Sequence, residues 1–379
     1  MNHFEYRNGE MFAEDVPLAR IAAAVGTPVY VYTQATLERH ARVFIAALAP
    51  AGRVEVAFAV KSNPNLAVLR VLARAGLGAD VVSAGELDRA LAAGVPAHRI
   101  VFSGVGKTTG EIAHALDAGI GQFNIESEGE GRDLAELGAA RGVTAAAVLR
   151  VNPDVDAMTH AKISTGKADN KFGVSISDAP AIYARLALLP GLNLRGIATH
   201  IGSLIGDLAP LEAAFVRMGA LVATLRTTGH CVTHVDLGGG LGVAYRPDEV
   251  FPTPAAYGAM VARVTRDWNV TLMFEPGRLL VGNAGILLTR VVRVKPGHAR
   301  PFVVVDAAMN DLVRPALYQS WMAIEPCRQR EEPTNIWDIA GPVCESGDWL
   351  GRDRVLALQI GDVLAVLSAG AYGMAMASN

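Results

Sequence analysis

Eight short apolar runs recur between about residues 54 and 278, each followed by an alanine- and leucine-rich stretch with helical spacing. The runs are Val54 to Val60, Gly78 to Val82, Ile100 to Ser103, Gln122 to Ile125, Ala146 to Val151, Gly196 to His200, His234 to Leu237 and Leu272 to Glu275. Val-Glu-Val-Ala-Phe-Ala-Val, the first of them, scarcely alternates. That is the texture of a strand buried on both faces, in a parallel sheet covered by helices. Eight β/α units predict an α/β fold closed as a (β/α)8 barrel of the TIM type, which takes roughly 250 residues. A doubly wound open sheet is the alternative.

The chain has 379 residues, enough for a second domain. Past Arg278 the pattern changes to valine-rich runs broken by Gly, Pro and Asp, with little helical periodicity: Ile286 to Val294, Phe302 to Val305, Val355 to Ile360 and Val363 to Leu367. This predicts a mainly β domain, a sheet or β-barrel. The extended Val29-Tyr30-Val31-Tyr32 precedes the first barrel unit and is expected to pair with that later sheet. The expected division is a barrel over 36–280 and a β domain from 1–35 plus 281–379.

Composition narrows the class of ligand. A formal net charge of -3 without long runs of one sign offers no attraction to nucleic acid or to an anionic membrane, so a small-molecule substrate is expected. Three scattered cysteines, Cys231, Cys327 and Cys344, suit neither a disulfide framework nor a thiolate metal site, and a reducing cytoplasm fits them. The N-terminus lacks a basic region followed by an apolar run, and no stretch reaches the roughly 18 uninterrupted apolar residues of a spanning helix. Neither export nor membrane insertion is expected.

Barrels of this kind carry their sites at the C-terminal ends of the strands. The first run ends in Lys61, which is either a capping charge or a Schiff-base nucleophile. The second includes Asp80 and leads to Glu86, and the sixth ends His200-Ile201-Gly202-Ser203. A histidine there is either structural or placed to stack on a flat cofactor ring. The seventh passes through Asp236 into Gly238-Gly239-Gly240, a tight turn or a phosphate cradle whose N–H groups approach closely. Glu275-Pro276-Gly277-Arg278 closes the eighth, with a carboxylate fit to hold a ring nitrogen protonated and an arginine fit to fork onto a carboxylate. Taken singly each has a bland reading; together they describe a pyridoxal-phosphate (PLP) site.

Phe58-Ala59-Val60-Lys61-Ser62-Asn63, the segment His160 to Gly166, His200-Ile201-Gly202-Ser203, Gly238-Gly239-Gly240 and Glu275-Pro276-Gly277-Arg278 resemble the PLP-dependent (group IV) decarboxylases of the alanine-racemase-like fold. Arg314-Pro315-Ala316-Leu317-Tyr318, the segment Gly341 to Asp348 and Ala371-Tyr372-Gly373 narrow the likeness, from about residue 5 onward, to the diaminopimelate decarboxylase family. That resemblance implies a lyase converting meso-2,6-diaminopimelate to L-lysine and CO₂. Lys61 would carry PLP and move protons. His200 would stack on the ring, and Glu275 would meet its nitrogen. Asp80 would stand in the cofactor site, and Ser203, Gly239, Gly240 and Tyr372 would hold the phosphate. Arg278, Arg314 and Tyr318 would grip the unreactive carboxylate, Glu345 the distal ammonium, and Cys344 would donate a proton. It also implies a homodimer in which the β domain supplies Cys344 and Glu345 to the partner's site.

Leu204 and Met322 stand where the family commonly has Gln and His, and the chain ends at Asn379, where the family commonly continues. A sister decarboxylase of another amino acid, or a catalytically impaired PLP-binding homologue, is the alternative. An ornithine-, lysine- or arginine-type substrate, lacking a second carboxylate, would leave Arg278 and Arg314 without a partner.

Overall fold

In the computed structural model, residues 2–157, 165–166, 170–297 and 301–378 are described. The chain divides into two compact units, one of residues 40–242 and 250–278, the other of 1–39, 243–249 and 279–379. The segment 243–249, which periodicity alone left in the barrel, groups with the second unit.

The first unit is a closed parallel barrel. Its strands are Val54–Ala59, Gly78–Val81, Ile100–Phe102, Gln122–Ile125, Ala145–Asn152, Leu192–Ala198, His234–Asp236 and Thr271–Phe274. Each pairs with the next, and the eighth returns to the first through Leu272–Val54 and Phe274–Val56. Every expected strand is present, and the open-sheet alternative is excluded by closure. The first strand stops one residue early, because Val60–Ser62 tightens into a 3₁₀ turn carrying Lys61. Caps start the following helices promptly. Asn65 accepts from the amides of Ala67 and Val68, Ser83 from Glu86, and Thr108 and Glu111 form a capping box.

Helix Leu208–Thr227 is long and apolar enough to cross a membrane by length and composition. Leu211, Phe215, Met218, Val222 and Leu225 are buried on it, as on a core helix of the barrel's outer layer.

The second unit is mainly β. Gly285–Lys295 is its central strand, flanked antiparallel by Val363–Val366 along one edge and, in succession, by Val29–Tyr32 and Phe302–Val305 along the other. The N-terminal strand thus returns to the later sheet as expected. Asn335–Ala340 and Trp349–Leu356 extend the sheet. The expected strand from Val355 to Ile360 is corrected: it ends at Leu356, and Gln359 to Asp362 turn back, with the Gln359 amide donating to the Asp362 carboxylate at 2.7 Å. A short helix, Arg314–Tyr318, interrupts the β texture. Leu287, Val303, Val305, Ile339, Leu350, Leu364 and Met322 are buried together in the core. Met322 is therefore a packing residue of this unit.

Candidate active site

Parallel strands deliver their terminal side chains to one end of the barrel, which explains why residues far apart in sequence converge there. The Lys61 ammonium meets Asp80 Oδ2 at 2.5 Å. Asp80 is fully buried, and its Oδ1 has no hydrogen-bond partner among the described residues. Glu275 and Asp236 are buried nearby. Asn124 donates from Nδ2 to Glu275 Oε1 and Asp236 Oδ2, at 2.9 Å each, and Ser103 reaches Glu275 Oε1 at 3.2 Å. Gly238 N–H donates to Asp236 Oδ1 at 2.8 Å.

Such crowding of carboxylates beside a single lysine has an electrostatic consequence. Burial, then the neighbouring Asp236 and Asp80 charges, push Glu275 well above the ordinary carboxyl range, with Lys61 opposing. Burial raises Asp236 too, while its bonds to Glu275, Asn124 and Gly238 work the other way. Both shifts favour the protonated form. Glu86, half-buried near Asp80, rises to about 7, chiefly through desolvation. A cation brought to Glu275 would relieve this repulsion.

His200 follows the sixth strand, and its Nδ1 accepts from the Gly239 N–H at 3.2 Å. Burial, with the Arg150 and Lys61 charges adding to it, pulls its pKa down to about 3. The ring is therefore neutral with its proton on Nε2. Arg150 is itself anchored by a buried ion pair to Glu126 at 2.6 Å. Gly239 and Gly240 cannot be replaced cheaply: a Cβ at Gly239 would collide with the Glu275 carbonyl, and Gly240 has φ +113°. Arg278 donates from Nε and Nη2 to Ser203 Oγ, at 3.4 and 3.3 Å.

The barrel unit thus gathers Lys61, Asp80, His200, Ser203, Gly239, Gly240, Glu275 and Arg278. The orphaned Asp80 oxygen, the neutral imidazole, a glycine turn with no room for side chains and a carboxyl raised by its neighbours fit PLP: amine anchor, ring face, phosphate cradle and ring-nitrogen partner. The segment His160 to Gly166 lies outside the described residues except Thr165 and Gly166; Thr165 Oγ1 donates to the His200 carbonyl at 2.7 Å.

The remaining expected residues lie in the β unit. Arg314 is buried, its guanidinium 5.7 Å from the Tyr318 ring centroid and 5.3 Å from that of Tyr245. Cys344 and Glu345 are exposed on a turn pinned by Asp348, which accepts from the Met309 and Val343 amides. Tyr372 is half-buried with φ +55°.

Asn124, Asp236, Ser103 and Arg150 were assigned no role from sequence. One signal was legible: alternation in Gln122-Phe123-Asn124-Ile125 puts two amides on one face of a buried strand, and Gln122 Nε2 does donate to Asn124 Oδ1 at 2.8 Å.

Residues 34–282 match the model of the pyridoxal-dependent decarboxylase family, pyridoxal binding domain. The chain is 53% identical to the diaminopimelate decarboxylase of Zymomonas mobilis over 99% of its own length and 90% of that protein, and 51% identical to that of Pseudomonas aeruginosa over 100% and 91%. Among solved structures it is similar to diaminopimelate decarboxylase from M. jannaschii in co-complex with L-lysine, at TM-score 0.95 and 36% identity, covering 99% of this chain and 89% of that one. The motifs at the barrel strand ends, the closed barrel with its β unit and these matches agree: the chain belongs to the pyridoxal-dependent decarboxylase family.

Proposed function

We propose that this protein is a PLP-dependent carboxy-lyase converting meso-2,6-diaminopimelate to L-lysine and CO₂, the last step of lysine biosynthesis, as a cytoplasmic homodimer. The observation that carries the reading is the cluster of Lys61, Asp80, His200 and Glu275 at one end of the barrel, in a chain about half identical throughout to diaminopimelate decarboxylases.

Bound PLP supplies the electron sink that accepts the charge left on carbon when CO₂ departs. The chain's own groups do the rest. Lys61 anchors the cofactor and handles protons at the reacting carbon. Asp80 keeps Lys61 aimed, and Glu275 holds a proton at the ring nitrogen, with Asn124 and Asp236 fixing its orientation. Neutral His200 packs against the ring without adding a charge that would oppose a protonated pyridine. Ser203, the Gly239 and Gly240 amides and Tyr372 hold the phosphate.

Arg278, Arg314 and Tyr318 receive the carboxylate that stays, and Glu345 the distal ammonium. Cys344 donates a proton near the reacting carbon. The departing carboxylate should face few cations, because stabilising it in the ground state would oppose its loss. Exposure of Cys344 and Glu345 on their turn supports their service in a second subunit's site.

Purified protein with PLP should release equimolar lysine and CO₂ from meso-diaminopimelate. CO₂ release from ornithine or lysine but not from diaminopimelate would overturn the substrate assignment.

A further inference from the structure

A cavity of about 510 Å³ lies wholly within the β unit and is lined by Arg246, Arg352, Arg354, Trp321, Trp349 and Asp353, among others. Its charge is unbalanced. The Arg246 and Arg354 guanidiniums lie 5.2 and 4.4 Å from the centroid of the same Trp321 ring, and Arg352 lies 4.5 Å from that of Trp349. None of the three arginines forms an ion pair among the described residues.

Arg354 is only 7% exposed, and its buried Nε has no hydrogen-bond partner among the described residues. One bond, from Nη2 to the Met322 carbonyl at 3.0 Å, holds it in place. Gly351 leaves room for it, since a Cβ there would stand 2.7 Å from that Nε. Burial, with the Arg246 charge beside it, pulls the Arg354 guanidinium down to about 10, so it stays charged at neutral pH. Buried donors left unmade are costly, and like charges brought together without a counterion are costlier still. Stacking on indole orients the guanidinium planes but neutralises nothing.

We propose that this cavity binds a compact small-molecule dianion, one bearing a phosphate or two carboxylates, between Arg246, Arg352 and Arg354. Arginine forks match both chemistries bidentately, and the volume suits a metabolite-sized ligand. The walls also include Pro315 and Ala316, from the short helix that carries Arg314 and Tyr318. The site is independent of the decarboxylation reading, because its test reads binding and not turnover.

The full chain, saturated with PLP and reduced with borohydride so that the cofactor's phosphate cradle is filled, is titrated with pyrophosphate and separately with citrate. Heat and tryptophan fluorescence are followed together. Expected is one site per chain with a dissociation constant of about 1 mM or tighter for at least one probe. Pyrophosphate preferred over citrate identifies the phosphate chemistry, and the reverse identifies the dicarboxylate. Arg246→Ala and Arg352→Ala, both at exposed positions, should each weaken binding roughly ten- to a hundredfold. Arg354→Met should abolish it, but that residue also holds the Met322 carbonyl, so the two exposed variants decide. No saturation by either probe, or equal affinity in wild type and both exposed variants, overturns the proposal. So does binding that disappears as the protein self-associates, which would assign the arginines to acidic groups of a second copy.

Discussion

Lys61 and Asp80, nineteen positions apart on adjacent barrel strand ends, form an ion pair of 2.5 Å whose carboxylate is fully buried. The lysine is thereby aimed into the barrel end before any cofactor arrives, and its amine is expected to be the attachment point. Borohydride reduction of the PLP-loaded protein followed by peptide mapping should find the pyridoxyl group on Lys61. Asp80→Asn should leave the attachment site unchanged while lowering kcat by roughly ten- to a hundredfold, the range for a charge-assisted bond. A label on any other lysine ends the assignment.

Glu345→Gln is expected to lower kcat/KM for diaminopimelate by about ten- to a hundredfold, through loss of about 1.5 to 3 kcal/mol of charge-assisted hydrogen bonding to the distal ammonium. The cofactor spectrum should not change, since Glu345 is assigned to substrate. Unaltered kinetics would remove it from the site.

Shared sites make a sharper demand. Lys61→Ala and Cys344→Ala dimers should each be poor catalysts. After subunit exchange, half the dimers are mixed and each carries one intact site of two, so activity should recover to about a quarter of wild type. Exchange demonstrated by a mass or fluorescence tag without recovery would show that each chain builds its site alone.

The upward shifts of Glu275 and Asp236 have a stability signature. Both carboxyls are raised in the folded protein, so the folded chain binds protons that the unfolded chain has already released above the ordinary carboxyl range near 4. Their contribution is present below that range and is lost as pH rises through the elevated values. Glu275→Gln should therefore stabilise the cofactor-free protein by on the order of 1 kcal/mol at about pH 8 and by less at about pH 5, while weakening PLP binding. Thermal melts at both pH values check this; a gap that fails to widen with pH would sink it. His200 acts oppositely in sign: pulled down to about 3, it costs stability as pH falls below its unfolded value near 6.5.

Much of the scaffold was determined locally. Alternation and runs of apolar residues specify which stretches are strands, so all eight barrel strands could be placed to within a few residues, and the extended segment Val29–Tyr32 was expected in the later sheet, where it pairs. Lys61, His200, the glycines and Glu275 were legible because they punctuate apolar runs where a barrel puts its chemistry. What sequence could not convey was which polar groups meet. Asn124 bridges Glu275 and Asp236 across the barrel, and Arg246 reaches Trp321 and Arg354 from a loop that periodicity left with the other unit. Strand identity depends on neighbours within a few residues. The protonation of Glu275, the neutrality of His200 and the crowding of the arginines depend on burial and on charges brought in from distant strands, and only closure of the tertiary structure sets those.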